Sequence, residues 1–409
     1  MASRNFRAWM PNFSLPKFQG ISQDTALSWR DKSLLVPHLQ ELINHWCNLR
    51  EVPFKGVTTN GELLPNVYAY EDQGIDSGAI AEAAHEVFNL CKPGQIVALR
   101  QPLNSKTWRS WSNPEIYFSN YGLRLEELEE DLIDAILRVI QRTLSPEGYE
   151  KVTNARYVNH FLGDLCDAHG VMNEYSYNFQ VFGEPSDETQ WGWSIYGHHL
   201  CMSTFINRKH LHIAPTFIGA EPNEIDQGPH AGVTMMKPEE SLGLALMQSL
   251  TTEQQALAQS YKEMHDPEMP PGRFQRADQR HLCGAFQDNR VVPYEGIKAT
   301  EFSESQIKVV LEIFNQFLIY LPERSRQSRL EQLRRYLPET YFSWIGGFQG
   351  QVPFYYRIQS PAIIVEFDHH SGVFLSNTQP ERFHIHTVMR APNGGDYGND
   401  FRASEDRVL

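Results

Sequence analysis

The reading of one stretch decides the fold: residues 178–217, NFQVFGEPSDETQWGWSIYGHHLCMSTFINRKHLHIAPTF. β-Branched and aromatic residues dominate it, and turn residues punctuate it at Gly183-Glu184-Pro185 and Asn207-Arg208-Lys209. The spacing predicts a hairpin with strands over 191–206 and 210–217. Upstream the pattern is helical. Leu125, Leu128, Leu132, Ile136 and Ile140 recur on one face of 122–142, and Ser145-Pro146-Glu147 caps a second helix running towards Leu165. Downstream, Pro238 suits the first turn of a helix over 239–250, and Thr251-x-x-Gln254 and Ser303-x-x-Gln306 are capping boxes. Residues 341–374 and 383–390 return to strand composition. Helices and strands come in blocks without regular βα alternation, so the class is α+β. The expected layout is an N-terminal extension (1–90), a main domain with antiparallel strands (91–402) and a short tail (403–409). Residues 267–290, rich in Pro, Arg and Gln, read as a long loop or lid.

Composition narrows the function. The 409 residues carry 36 Lys+Arg against 50 Asp+Glu, a net charge of −14, and the one Arg-rich stretch, 324–335, is interleaved with Glu323 and Glu331. Nucleic acid is not the expected partner. There is no secretory h-region and no membrane-length apolar run, so the expected location is cytoplasmic. The five cysteines are scattered without CxxC spacing, as reduced thiols would be. No P-loop, G-x-S-x-G or H-E-x-x-H motif is present.

Histidine is the surplus. Of the 16, five fall between residues 198 and 230 and four between 369 and 386. In a strand His384 and His386 share one face and can converge on one ion, as can His210 and His212. His198 and His199 are adjacent and must diverge, so one can enter a site while the other packs beneath it. The expected ligands are His198, His199, His384 and His386. Carboxylates stand ready to complete the sphere or act as base: Glu366 and Asp368 on one strand face, Asp396 and Asp400 in a glycine-rich loop. Arg390, two steps beyond His386 on the same face, is in position to grip an anionic group. Trp191, Trp193, Glu221, Tyr356 and Arg357 are the candidate substrate contacts. The bland alternatives are that Trp191 and Trp193 pack on one sheet face, that His369-His370 sits at an exposed turn, that Arg208-Lys209 marks a solvent-exposed turn beside His210 and His212, and that Asp396 and Asp400 cap a turn.

Six ordered motifs resemble the domain of unknown function 3500 family: Trp191-Gly192-Trp193 with Gly197-His198-His199-Leu200; Pro215-x-Phe217-x-Gly219-Ala220-Glu221-Pro222; Tyr355-Tyr356-Arg357; Glu366-Phe367-Asp368; His384-Ile385-His386-Thr387-Val388-x-Arg390; and Asp396-x-Gly398-x-Asp400. The resemblance runs from about residue 90 to 402. It implies that these segments belong to one domain and meet in space; it names no activity. Similar proteins continue to a further His-Tyr, which Phe401-Arg402-Ala403-Ser404 replaces here.

The expectation is a metal-dependent enzyme acting on a small, largely apolar organic substrate, hydrolytic or oxidative. Imidazole with carboxylate suits Zn, Fe, Mn or Cu equally. Two alternatives stand beside it: a metal-free cyclase, isomerase or lyase using His, Asp and Arg, and a non-catalytic small-ligand-binding protein.

Overall fold

The computed structural model describes residues 5–402 and 407–409; most of the expected tail, 403–406, lies outside them. The helices are α1 (Ala26–Leu34), α2 (Pro37–Glu51), α3 (Ser77–Leu90), α4 (Pro93–Leu99), α5 (Glu130–Thr143), α6 (Pro146–Cys166), α7 (Lys237–Ser249), α8 (Thr252–Ala258), α9 (Glu304–Phe317) and α10 (Glu323–Arg335). The strands are β1 (Arg100–Gln101), β2 (Leu123–Arg124), β3 (Tyr177–Gly183), β4 (Gln190–Gly197), β5 (Leu200–Asn207), β6 (His210–Ala220), β7 (Gln259–Tyr261), β8 (Ile297–Lys298), β9 (Tyr341–Gly346), β10 (Phe354–Gln359), β11 (Ile364–His369) and β12 (Ile385–Arg390).

All twelve strands join one sheet, ordered β1-β3-β4-β5-β6-β12-β11-β10-β9-β7, with β2 on β3 and β8 on β9. Pairing is antiparallel except for β1 with β3 and β7 with β9. The fold is α+β. The sequence-expected strand over 191–206 is in fact two. Gly197 pairs with Leu200, so His198-His199 is a two-residue turn, with His199 at φ 97°. A non-glycine residue held there is strained backbone of the kind that marks functional sites.

The capping signals act as read. Ser145 Oγ accepts the Gly148 N–H to start α6, and Ser303 with Gln306 closes a reciprocal box on α9. The helix expected from 122 begins only at Glu130, because Leu123–Arg124 pair with β3 and Leu125–Glu127 form a 3-10 turn; within it α5 turns Leu132, Ala135, Ile136, Val139 and Ile140 inwards. Burying such an apolar stripe is what stabilises these helices, at roughly 25 cal/mol per Å² of apolar surface.

Residues directly opposite across antiparallel strands point to the same side, so the register sorts the two faces. One row runs Ile218, Thr387, Phe367, Tyr356, and it lies under the helices in the main core. The other row runs Gly219, His386, Asp368, Tyr355, with Phe217, Val388, Glu366, Arg357 beside it. This second face is covered by loop rather than helix, chiefly by residues 262–296, which contain no regular element. Side chains of the first ninety residues join the core: Phe6, Phe18 and Trp29 in the main cluster, Trp46 in the second.

Candidate metal centre

Five imidazoles meet on the loop-covered face. His384 and His386 project from the start of β12, His199 from the β4–β5 turn, His370 from just beyond β11, and His281 from the covering segment. All are at most 2% exposed. The Nε2 atoms of His384 and His386 are 3.0 Å apart, and those of His386 and His199 3.2 Å. His199, His384 and His386 form one group able to hold an ion, and His281, His370 and His386 a second.

Gly219 makes the space. A Cβ built there would meet the His199 ring at 2.5 Å and the His386 ring at 3.0 Å, so only a bare backbone lets the two imidazoles converge from neighbouring strands. The backbone also ties His370 to His384, through the His370 N–H donating to the His384 carbonyl at 2.8 Å.

A neutral sp² nitrogen carries either one proton or one lone pair, so His386 Nε2 cannot satisfy both His384 and His199. Nor do most of the other ring atoms find hydrogen bonds: His199 Nδ1, His386 Nδ1, His384 Nδ1 and both nitrogens of His281 have none among the described residues, and His370 Nε2 has only an ion-pair contact with Asp368. Buried polar atoms left unmatched cost about 1–3 kcal/mol each. Burial pushes the imidazoles of His199, His370 and His386 well below the usual histidine range, helped by their neighbours' charge. They are therefore neutral, the form that binds a metal. His281 differs: burial alone would lower it, but Glu366, Asp368 and Asp278 carry it above its ordinary value.

The carboxylates form a shell behind these rings. Asp368 Oδ2 lies 3.0 Å from His370 Nε2, Glu221 Oε1 3.8 Å from His384 Nδ1, and Glu366 Oε2 3.8 Å from His281 Nδ1. Each is also committed elsewhere. Asp368 pairs with Arg280 at 2.6 Å; Glu366 accepts the Leu282 and Cys283 N–H groups and the Tyr355 hydroxyl; Glu221 accepts the N–H groups of Val373, Phe374 and Leu375. Burial would raise Glu366, but His281, Arg357 and the backbone donors hold it down at about 2. Such outer carboxylates orient ligands more than they ligate.

The sequence-predicted residues thus separate into those the fold brings together and those it does not. His198 is not in the cluster: its ring stacks on His199 at 3.8 Å and its Nδ1 sits 2.9 Å from Asn159 on α6. Of the adjacent pair, His199 enters and His198 packs beneath. Trp191, Trp193 and Tyr356 face the helices on the other side of the sheet, with Trp193 Nε1 donating to Thr143 on α5 and the Tyr356 hydroxyl to the Glu239 carbonyl on α7. Strand alternation decides this, since Trp193 falls in phase with Ile218 and not with Gly219. Arg390 does share the His386 face, but its guanidinium is spent: Nη1 on Asp288 (2.8 Å) and Asp396 (3.1 Å), Nε on the Cys283 carbonyl and Nη2 on the Gly284 carbonyl. Asp396 also accepts the Ala391 N–H, and Asp400 sits half-buried, 3.8 Å from Arg407. Arg357 donates to Pro293 O and Glu295, and its Nη1 has no hydrogen-bond partner among the described residues.

His370 and His281 were legible only as residue types. His369 and His370 are buried, at most 1% exposed, where an exposed turn was expected, because residues 371–382 fold back over them. His281 stands alone in a loop, and no local signal marks it.

The profile of the family described as a protein of unknown function, DUF3500, matches residues 73–399. The chain belongs to the DUF3500 family. The match includes all five clustered histidines and the carboxylates behind them, so this DUF3500 domain carries the whole arrangement within its own boundaries. No curated protein and no solved structure matches the chain. No helix among the described residues is long and apolar enough to cross a membrane.

Proposed function

We propose that this DUF3500 protein is a transition-metal enzyme whose ion is held by His199, His384 and His386. The observation that carries the reading is the convergence of three Nε2 atoms with neighbours at 3.0 and 3.2 Å. Those spacings approach the edge of about 3.3 Å in a tetrahedron whose metal–nitrogen bonds are roughly 2.0–2.1 Å. An all-imidazole set suits Zn, Cu or Fe better than Mn, which prefers oxygen ligands. Three protein ligands leave a position for water, dioxygen or substrate, and the bound ion would supply Lewis acidity there.

The chain's own groups supply the rest. His370 with Asp368, and His281 with Glu366, are imidazole–carboxylate couples beside the ion, able to take up and return a proton. Arg357 Nη1, and Nε and Nη2 of Arg273, are buried beside Tyr355 and without hydrogen bonds among the described residues, with Glu295 3.7 Å from Arg273 Nη2. They suit an anionic group on an otherwise apolar, small organic substrate.

Full burial of the five rings favours one second reading, a structural ion that pins residues 262–296 to the sheet through His281. Turnover separates the two. Metal-loaded protein and its His386→Ala variant are incubated with a cytosolic extract, and small molecules are compared by untargeted mass spectrometry. Depletion of a compound by the parent protein alone supports the enzyme; unchanged profiles with a fully loaded parent support the structural ion.

A further inference from the structure

A second site lies at the opposite end of β6 from Gly219, seven residues or roughly 23 Å along the strand from His212. A cavity of about 350 Å³ opens between the start of β6, α10 and residues 66–73. That volume falls within the range of small-molecule sites. His210 and His212 line it, each 5% exposed, and neither Nε2 has a hydrogen-bond partner among the described residues. A bulge in β6 keeps both on the same face as His386 although their numbering parity differs from that of Gly219.

The His210 ring is fixed by the backbone of Glu71. Its Nδ1 is 3.1 Å from the carbonyl and 3.3 Å from the N–H, and the shorter contact puts the proton on Nδ1. Nε2 is then a lone pair, an acceptor for a ligand hydroxyl. Above the imidazoles, Arg329 of α10 lies over Tyr68 and donates to the Ala362 carbonyl and to Gln332, all neutral partners. Burial lowers its affinity for the proton, as expected of a guanidinium short of counter-charge. Arg335 stands exposed at the rim. Among the described residues the one acid on the lining is Glu71, which accepts from Ser328 at 2.5 Å. Among the described lining residues two arginines therefore face one carboxylate, and Asp396, off the lining, partly offsets the charge of Arg329.

We propose that this cavity binds a small polyol bearing one oxyanion, with the anion on Arg329 and Arg335 and hydroxyls donating to His210 and His212. A phosphate and a carboxylate satisfy the arginines alike, so both are tested. Full-length, metal-loaded protein is titrated calorimetrically with glucose 6-phosphate, gluconate, glucose and inorganic phosphate. The expected result is that glucose 6-phosphate or gluconate binds at least tenfold more tightly than either glucose or phosphate. Arg329→Met and His212→Phe should weaken that binding at least tenfold. Arg335→Met, a surface change that does not threaten the fold, should weaken it at least threefold. Binding no tighter than that of glucose or phosphate alone, or affinity unchanged in Arg335→Met and His212→Phe, overturns the proposal.

Discussion

Arg390→Met tests whether this arginine holds the fold or a substrate. The side chain is fully buried and makes four hydrogen bonds, two of them to the carboxylates of Asp288 and Asp396. Methionine fills similar space but leaves both acids short of a cation. Asp288 keeps Arg109 at 3.1 Å and the Tyr397 hydroxyl at 2.7 Å; among the described residues Asp396 keeps only the Ala391 N–H. Removing one partner of a buried pair costs about 3–5 kcal/mol. With an unfolding entropy near 2.1 cal/mol/K per residue over 409 residues, about 0.86 kcal/mol/K, a loss of about 4 kcal/mol lowers Tm by about 5 °C. The loss should depend on pH. Burial already pushes Asp396 up to about 6 against the opposing pull of Arg390. Without that pull its folded pKa rises further above the unfolded value, so the variant loses stability as pH climbs from 6 to 8. Differential scanning calorimetry at both pH values reads the shift, and metal content should be unchanged. A Tm within 1 °C of the parent, with the defect confined to KM for a substrate, would refute the reasoning and return Arg390 to substrate binding.

Three further outcomes are expected. Gly219→Val drives a side chain into the His199 and His386 rings, and should abolish metal binding while far-UV circular dichroism stays native; a fully loaded variant contradicts the placement of His199. Asn159→Ala strands His198 Nδ1, and should cost about 1–3 kcal/mol in urea unfolding with full metal content, whereas loss of the ion would make His198 a ligand. Burial lowers His210 to about 4, so the fold keeps it neutral while the unfolded chain protonates it below about 6.5. Its contribution is intact above that pH and falls by about 2 kcal/mol by pH 5. His210→Phe should therefore flatten the acid limb of stability measured in phosphate-free buffer, and an unchanged limb argues against a neutral, buried ring.

Capping boxes and the stripe on α5 announce themselves locally, because Ser145, Ser303 and Gln306 act on atoms a few positions away. His384 and His386 were equally visible, since strand alternation alone puts them on one side. The His198-His199 turn was not, because a two-residue hairpin without glycine or asparagine at the turn carries no turn chemistry; His199 is held at positive φ by its tertiary setting. The faces of Trp193 and Tyr356 depend on pairing register, and their aromatic character fits a core as well as a pocket. His281 reaches the cluster only because Arg280 pairs with Asp368 and donates to the His369 carbonyl, contacts between segments about 90 residues apart, and His370 is buried there because residues 371–382 fold back over it.

The proposed activity rests on a metal ion at one defined point. Anomalous diffraction from crystals of protein purified without a histidine tag, collected on both sides of the Zn, Cu and Fe edges, tests it most directly. One peak is expected about 2.0–2.1 Å from Nε2 of His199, His384 and His386, absent from His386→Ala crystals. Metal-reconstituted crystals that show no anomalous peak there, or a peak bound elsewhere while these three nitrogens stay at 3.0 and 3.2 Å from one another, would contradict it.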